Sequence, residues 1–386
     1  MDAQRLQASF AAVQAHGDRA AHHFYAFLFV AYPELRDLFP VSMAGQRDRL
    51  LQALGHVVSH VDRFDQAVPY LEGLGRDHRR FSVVAAHYAQ VGQALLATLE
   101  HFLGDRWTAD LAAQWSAAYD QVSGTMLRAA EHAARSQPAW WTADVLEHEH
   151  RGPDLAVFTV RPTMPLTYRP GQSVALECPL RPRVWRFLSP ANTPRADGTI
   201  EFHVRAQPGG ELSPALVHQL REGDQVRLGA PIGRRLTLTP GGGRDLLLIA
   251  AGTGLAPMRA LVEQVEVETA AGVPARSVQL FAGARGVGDL YDLPTLRGLE
   301  AAHRWLSVLP VTPEERGGDD VLGAALRTTR LPEREVYVCG PPALAGNARE
   351  ALAAAGVPAA QIHLEDYDGA RYQPSQAPAA STAAVR

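Results

Sequence analysis

The sharpest chemical signal in the sequence is a glycine turn placed directly behind an apolar run. Asp245-Leu246-Leu247-Leu248-Ile249-Ala250-Ala251 reads as a buried parallel strand, because nothing polar interrupts it after its first residue. Gly252-Thr253-Gly254-Leu255-Ala256-Pro257 follows and opens a helix. Glycines there let a pyrophosphate approach the backbone, and the free N–H groups of a helix start favour its charge. The segment is not the Gly-x-Gly-x-x-Gly fingerprint, since Pro257 stands in place of the last glycine. Two more strand-like runs end in turns: Ser277 to Ala282 runs into Gly283-Ala284-Arg285, and Glu335 to Val338 into Cys339-Gly340-Pro341-Pro342. Upstream, Gly209-Gly210-Glu211-Leu212-Ser213-Pro214 reads as another helix start. Ser213 is expected to be its N-cap and Pro214 its first helical residue, with N–H groups free for a phosphate. The chain has 15 histidines and only two cysteines, Cys178 and Cys339, without metal-ligand spacing. That fits a reducing compartment and no disulfide framework. His56 and His60 share a helical face, for which a solvated or packing role is expected rather than a metal pair.

The elements that must hold these residues fall into three stretches. With 386 residues, two or three domains are expected. Hydrophobic content of 46% and charged content of 20% are those of a globular protein. A net charge of −4 gives no general pull toward nucleic acid or anionic membrane. No apolar run is long enough to span a bilayer and the start lacks a signal-peptide core, so the expected location is the cytoplasm. Residues 1–134 carry apolar positions at helical spacing, as in Leu50, Leu51, Leu54, Val57, Val58 and Val61. Further helices are expected over Val84 to Leu103 and around Leu111 to Met126, and Pro33 suits the first turn of a short one. A linker is expected at 135–139. Over 140–242 come short runs, Leu155 to Val160, Ser173 to Glu177, Thr199 to Val204 and Gln225 to Leu228, dense enough for a small antiparallel barrel. From 243 to 370 strand, glycine turn and helix alternate, which predicts an α/β domain with a parallel sheet. The last stretch, 371–386, is Ala-, Pro- and Ser-rich and is expected to be disordered.

The order HFYAFLF, YPELRDLF, GQRDRLL, GRDHRRF and HYAQVGQALLATL resembles the globin domain of bacterial flavohaemoglobins over nearly all of residues 1–130. The resemblance implies haem b, with His78 as its proximal iron ligand. It implies that Phe39 packs on the porphyrin and that Tyr25, Gln46 and Leu50 line the distal side. Gln46 and Leu50, four apart, can face one ligand. Tyr88 matches a tyrosine of the family's proximal network. The matching glutamate position is Ala130, with Glu131 one residue on, which a helix turns away by about 100°. Asp77 replaces the usual lysine before the proximal histidine.

The pair GTGLAP and VYVCGPP resembles the nucleotide domain of ferredoxin reductases, and Tyr168-Arg169-Pro170-Gly171-Gln172 with Arg186-Phe187-Leu188-Ser189 resembles their flavin loops. By that resemblance FAD lies against Arg186, Phe187, Leu188, Ser189, Gly210 and Ser213, and NADH or NADPH against Gly252, Thr253, Gly254, Leu255, Ala256, Pro257, Cys339 and Gly340. Glu365 matches an acidic residue beside the cofactors, and Tyr367 an aromatic that shields the flavin. Leu188 and Ser173 stand where the family has tyrosines. The function implied is transfer of electrons from NAD(P)H through FAD to haem, whose bound oxygen oxidises nitric oxide to nitrate. The partners implied are dioxygen and nitric oxide, with neither nucleic acid nor a membrane. The departures keep two alternatives open: an oxygen-binding or sensing globin with an impaired reductase, and a reductase or oxidase with another acceptor or donor.

Overall fold

The computed structural model describes residues 2–239, 243–313, 320–327 and 330–365. Tyr367 and the 371–386 tail lie outside the described residues. One compact unit holds Met1–Trp140 and a second opens at Trp141.

The first unit is all α. Its helices are α1 (Ala3–Gln14), α2 (Asp18–Ala31), α3 (Ala44–Ser59), α4 (Phe64–His78), α5 (Ala85–Leu103) and α6 (Ala109–Ala134), with a short 3-10 turn from Pro33 to Leu38. Leu6, Phe10, Phe24, Leu28, Leu95, Leu99 and Trp115 form one buried core, each helix contributing the face that its apolar spacing provides. A second cluster of Ala67, Leu71 and Met126 joins α4 to α6. At that crossing Gly75 approaches the Met126 carbonyl so closely that a Cβ would stand 2.1 Å from it. The crossing therefore fixes the last turn of α4, which ends at His78.

The second unit begins with an antiparallel sheet: β1 (Trp141–Gly152), β2 (Leu155–Pro162), β3 (Val174–Glu177), β4 (Arg186–Leu188), β5 (Ile200–Arg205) and β6 (Gln225–Leu228), with α7 (Leu212–His218) between the last two. The order is β4-β3-β6-β1-β2-β5, and a bridge from Pro190 to Phe202 brings the chain beyond β4 back to β5. The result is the expected near-closed barrel around Phe158, Phe202, Val174 and Leu176. The longest strand, β1, carries no uniform apolar run; its buried positions Trp141, Ala143 and Val145 alternate with polar ones and its second half is charged.

A parallel sheet follows: β7 (Leu246–Ala251), α8 (Leu255–Ala270), β8 (Val278–Gly283), α9 (Leu293–Ala302), β9 (Leu306–Val311), α10 (Val321–Leu326), β10 (Glu335–Cys339), α11 (Pro342–Ala354) and β11 (Ile362–Leu364). The order β11-β10-β7-β8-β9 reverses at β7. Ligands of open α/β sheets bind outside the carboxyl ends of the strands at such a switch point. Pro310 is tolerated because β9 is an edge strand. Among the described residues no helix is long and apolar enough to cross a membrane.

Candidate functional site

On the helical unit, His78 closes α4 and its Nδ1–H donates to the Leu74 carbonyl, one turn back, at 2.8 Å. That bond sets the tautomer and leaves the Nε2 lone pair without a partner among the described residues. Burial lowers the imidazole pKa, with the Asp77 charge opposing it, so the ring is held neutral. A neutral ring with one nitrogen oriented by a carbonyl and the other free is the donor set an axial haem ligand requires. The Asp77 side chain is nearly inaccessible and paired with Arg80, whose guanidinium lies over the Phe81 ring at 4.7 Å.

The rest of the expected proximal network does not assemble. Tyr88 packs against the cluster of Ala67, Leu71 and Met126 and makes no hydrogen bond to His78. Glu131 is exposed, as its one-residue offset implies. His56 and His60 stay local, His60 Nδ1 bonding to the His56 carbonyl at 2.8 Å.

The expected distal residues do meet. Tyr25 is buried edge-on to Phe39, with ring centroids 5.5 Å apart, and Phe29 packs against both. The Tyr25 hydroxyl donates to the Gln46 carbonyl at 3.5 Å, a long and hence weak hydrogen bond. Burial pushes the phenol up to about 12. The Gln46 amide oxygen accepts from Arg49 at 2.9 Å, and Leu50 packs into the same apolar cluster as Phe39.

In the barrel, β4 pairs with β3 so that Leu188 faces Val174, Phe187 faces Ala175 and Arg186 faces Leu176. Arg186 is exposed, and among the described residues its hydrogen bond is to its neighbour, the Trp185 carbonyl, so the fork can still meet an anion. Ser189 and Ser173 hydroxyls meet at 3.3 Å, where the family resemblance places an aromatic. Leu188 is half-buried and touches the barrel core. The Gly209–Pro214 segment departs from expectation. Helix α7 starts at Leu212, Glu211 occupies the cap position, and Pro214 is the third helical residue. Ser213 does not cap; its hydroxyl accepts from the Gln207 N–H at 3.1 Å, and the Gly210 N–H donates to the Gln207 carbonyl at 2.9 Å. The Ser213 hydroxyl and the Gly210 N–H are thus taken up within the turn, and a seven-residue helix adds little anion affinity.

At the switch point of the parallel sheet, a 3-10 turn from Gly252 to Gly254 leads from β7 into α8. Gly252 has φ +57°, and the space where a Cβ would stand is open. Such a cradle suits a diphosphate, and only glycine adopts this backbone without strain. Gly254 has a different reason from the one expected. Its Cβ would lie 2.3 Å from the Cys339 carbonyl, so it is small to let the turn nest against β10, not to admit a ligand. Leu255, Ala256 and Pro257 are buried and seat the helix; Gly252 and Thr253 are the positions of this motif that reach solvent.

Across the switch point, Cys339 ends β10 opposite Ala250 of β7. Its Sγ donates to Glu365 Oε2 at 3.0 Å, just past β11. Burial first, then the Glu365 charge, pushes the thiol pKa up, so Cys339 is a protonated thiol rather than a nucleophile. The carboxyl ends of β7, β10 and β11 therefore gather Gly252, Thr253, Cys339, Gly340 and Glu365 at one edge.

Sequence reasoning missed the buried polar cluster between barrel and nucleotide sheet, built on Glu201, His203, Arg259 and Asp292. The available signal was Arg259 inside the otherwise apolar stretch from Leu255 to Val262.

Comparison with known proteins matches the three stretches of the chain in the same order. Residues 22–126 match the globin family model, 143–236 the oxidoreductase FAD-binding domain and 248–350 the oxidoreductase NAD-binding domain. The flavohemoprotein of Bordetella parapertussis is 28% identical over 394 residues, covering 93% of this chain and 96% of its own. That of Bacillus subtilis is 23% identical over 387 residues, covering 93% and 95%. A flavohemoglobin from Malassezia yamatoensis, solved with bound FAD and heme, superposes with a TM-score of 0.73 at 19% identity, over 94% of this chain and 98% of its own, a likeness of fold. With three domain models matched in this order and relatives aligned along nearly their whole length, the chain belongs to the flavohemoproteins, a globin fused to FAD-binding and NAD-binding oxidoreductase domains.

Proposed function

We propose that the chain is an NAD(P)H-dependent nitric oxide dioxygenase, with haem held by residues 1–134, FAD by 140–242 and the nucleotide by 243–370. The observation that carries this reading is the half-buried His78, its pKa lowered and its Nε2 without a partner among the described residues, on the same chain as a glycine turn at the end of a parallel strand. When bound, the cofactors supply the redox chemistry: two electrons leave NAD(P)H as a hydride to FAD and pass singly to haem, and each nitric oxide with one dioxygen takes up one electron to become nitrate.

The residues bind, orient and hold protons. His78 presents a lone pair for the iron, and Leu74 keeps that lone pair on Nε2. Tyr25, protonated across the working pH range, offers an O–H on the distal side, where it stabilises developing negative charge. Phe39 excludes water there, and Gln46 and Leu50 complete that wall. Arg186 compensates the FAD pyrophosphate, and Gly252 with Thr253 cradles that of the nucleotide. Glu365 keeps the Cys339 proton in place, so the end of β10, where the nicotinamide would lie, stays neutral at sulfur.

The test is NADH-driven consumption of nitric oxide in oxygenated buffer by the purified, cofactor-loaded chain. The expected result is nitrate in yield equal to the nitric oxide lost, with half as many moles of NADH consumed. A fully loaded protein that consumes NADH but spares nitric oxide sinks the proposal.

A second reading, a sensing globin with an impaired reductase, is favoured by Leu188 and Ser173 standing where aromatic surfaces are expected. FAD titration separates the two. If FAD is held chiefly by charge, Arg186→Ala loses a charge-assisted contact of about 1.5–3 kcal/mol. That corresponds to roughly 10- to 100-fold weaker FAD, by tenfold per 1.4 kcal/mol. Leu188→Tyr is expected to tighten FAD and speed NADH-driven haem reduction. A wild type with no FAD affinity at micromolar concentration moves the chain to the sensing reading.

A further inference from the structure

The buried cluster between barrel and nucleotide sheet joins the two candidate sites directly. Glu201 lies on β5, and its carbonyl accepts from the Ala191 N–H at 2.8 Å, two residues beyond Ser189 of the flavin loop. Its own N–H donates to Asn192 Oδ1 at 2.8 Å, and Pro190 bridges to Phe202. The flavin loop is thereby stitched to β5. On the other side, Arg259 lies one turn into α8, the helix that leaves the Gly252 turn. The Arg259 fork meets Glu201 with both terminal nitrogens, Nη1 to Oε1 at 2.6 Å and Nη2 to Oε2 at 3.3 Å. Nη1 also reaches Asp292 Oδ2 at 3.3 Å, at the cap position of α9, and Nε lies 3.4 Å from Glu263.

His203 completes the cluster. It is buried, with Nε2 at 2.9 Å from Glu201 and Nδ1 at 2.8 Å from the Tyr291 hydroxyl. Arg259 and Asp292 are 7% and 2% exposed, so these charges are out of water. Burial would raise the Glu201 pKa, but the His203 hydrogen bond and the Arg259 charge outweigh it and hold the carboxyl at about 2. A buried ion pair adds little net stability over apolar packing of the same volume. What a bidentate fork does supply is a single relative placement of its two ends.

We propose that Arg259 is a positioning residue, clamping the helix of the nucleotide turn to β5, the strand to which the flavin loop is stitched, so that nicotinamide and flavin stand at the separation hydride transfer needs. This rests on the oxidoreductase reading above. In the step concerned, the nicotinamide loses a hydride, one proton with two electrons, and the flavin gains it; Arg259 touches neither. A misplacement of about 1 Å at a reacting pair costs on the order of 100-fold in rate.

The experiment is anaerobic stopped-flow reduction of the FAD-loaded full chain by NADH, for wild type, Arg259→Lys and Arg259→Met. The rate at saturating NADH, the NADH concentration at half-saturation and the long-wavelength nicotinamide–flavin charge-transfer band are read together. For Arg259→Met, a rate about 100-fold lower is expected at unchanged FAD content, with half-saturation moved less than about threefold and the charge-transfer band weakened. Arg259→Lys keeps the charge but loses the fork, and is expected to recover part of the rate. If Arg259→Met does not fold, Arg259→Lys decides alone: a slowed reduction at full FAD content supports the clamp. Wild-type rates and an unaltered charge-transfer band in the variants that fold overturn it. A wild type that binds no FAD, or whose FAD NADH does not reduce, overturns the oxidoreductase reading and the clamp with it.

Discussion

A His78→Ala chain is expected to purify with almost no haem. The imidazole has the geometry that an axial ligand needs, with Nδ1 tied to Leu74 and Nε2 without a partner among the described residues. Loss of groups that merely orient a ligand costs about 10- to 100-fold in metal affinity, so loss of the ligand is expected to cost at least about 100-fold. Haem content by absorbance and the ferrous spectrum are the measurements. Because α4 is held by Gly75 against Met126 and by Ala67 and Leu71, well before its last residue, helix content should be unchanged. Added imidazole is expected to restore a ferrous spectrum by filling the vacated position. His56→Ala serves as control, since that ring is exposed on α3, and haem retention should match wild type. A His78→Ala protein with a normal five-coordinate ferrous spectrum would place the iron ligand elsewhere.

The second large effect is expected at the nucleotide turn, and the two glycines there should behave differently. Gly252→Val meets open space, so the cost to the fold is the strain of a branched side chain at φ +57°, on the order of 1–2 kcal/mol. The same side chain fills the place where a diphosphate would approach the backbone. Each charge-assisted hydrogen bond lost there is worth about 1.5–3 kcal/mol, so NADH affinity is expected to fall at least about tenfold and up to hundreds-fold. Haem content should stay at the wild-type value, because His78 belongs to the other compact unit. Gly254→Val is expected instead to destabilise the second unit itself, since its Cβ would stand 2.3 Å from the Cys339 carbonyl. NADH titration and thermal unfolding of both variants separate the outcomes. If Gly252→Val binds NADH as wild type does, the turn is not the nucleotide site.

What the sequence determined by itself is whatever depends on neighbours along the chain. Helical spacing in residues 1–134, the apolar run into Gly252 and the short runs of the barrel reproduce the three architectures, because each records one face buried at a regular period. The bond from His78 to Leu74 is of the same kind, one turn apart on one helix. The offset of Glu131 was legible too, since a single residue on a helix turns the side chain away. Strand β1 escaped because Asp144 and the charged Glu147 to Arg151 hide its alternation, and its partner β6 lies far along the chain. Ser213 misled because Ser-Pro is a common helix start, whereas here the hydroxyl was claimed by Gln207 across the turn.

Only the tertiary structure decided why particular residues are tolerated. Gly254 is small on account of Cys339, and Cys339 is a protonated thiol on account of Glu365; neither partner is adjacent in sequence. Arg259 in an apolar helix looks like a solvated charge until the fold brings Glu201 and Asp292 against it from two other elements. The physical reason is common to all three. Local periodicity tells which face of an element is buried, but the energy of a buried charge, thiol or glycine depends on the atoms that face it, and packing alone brings those together.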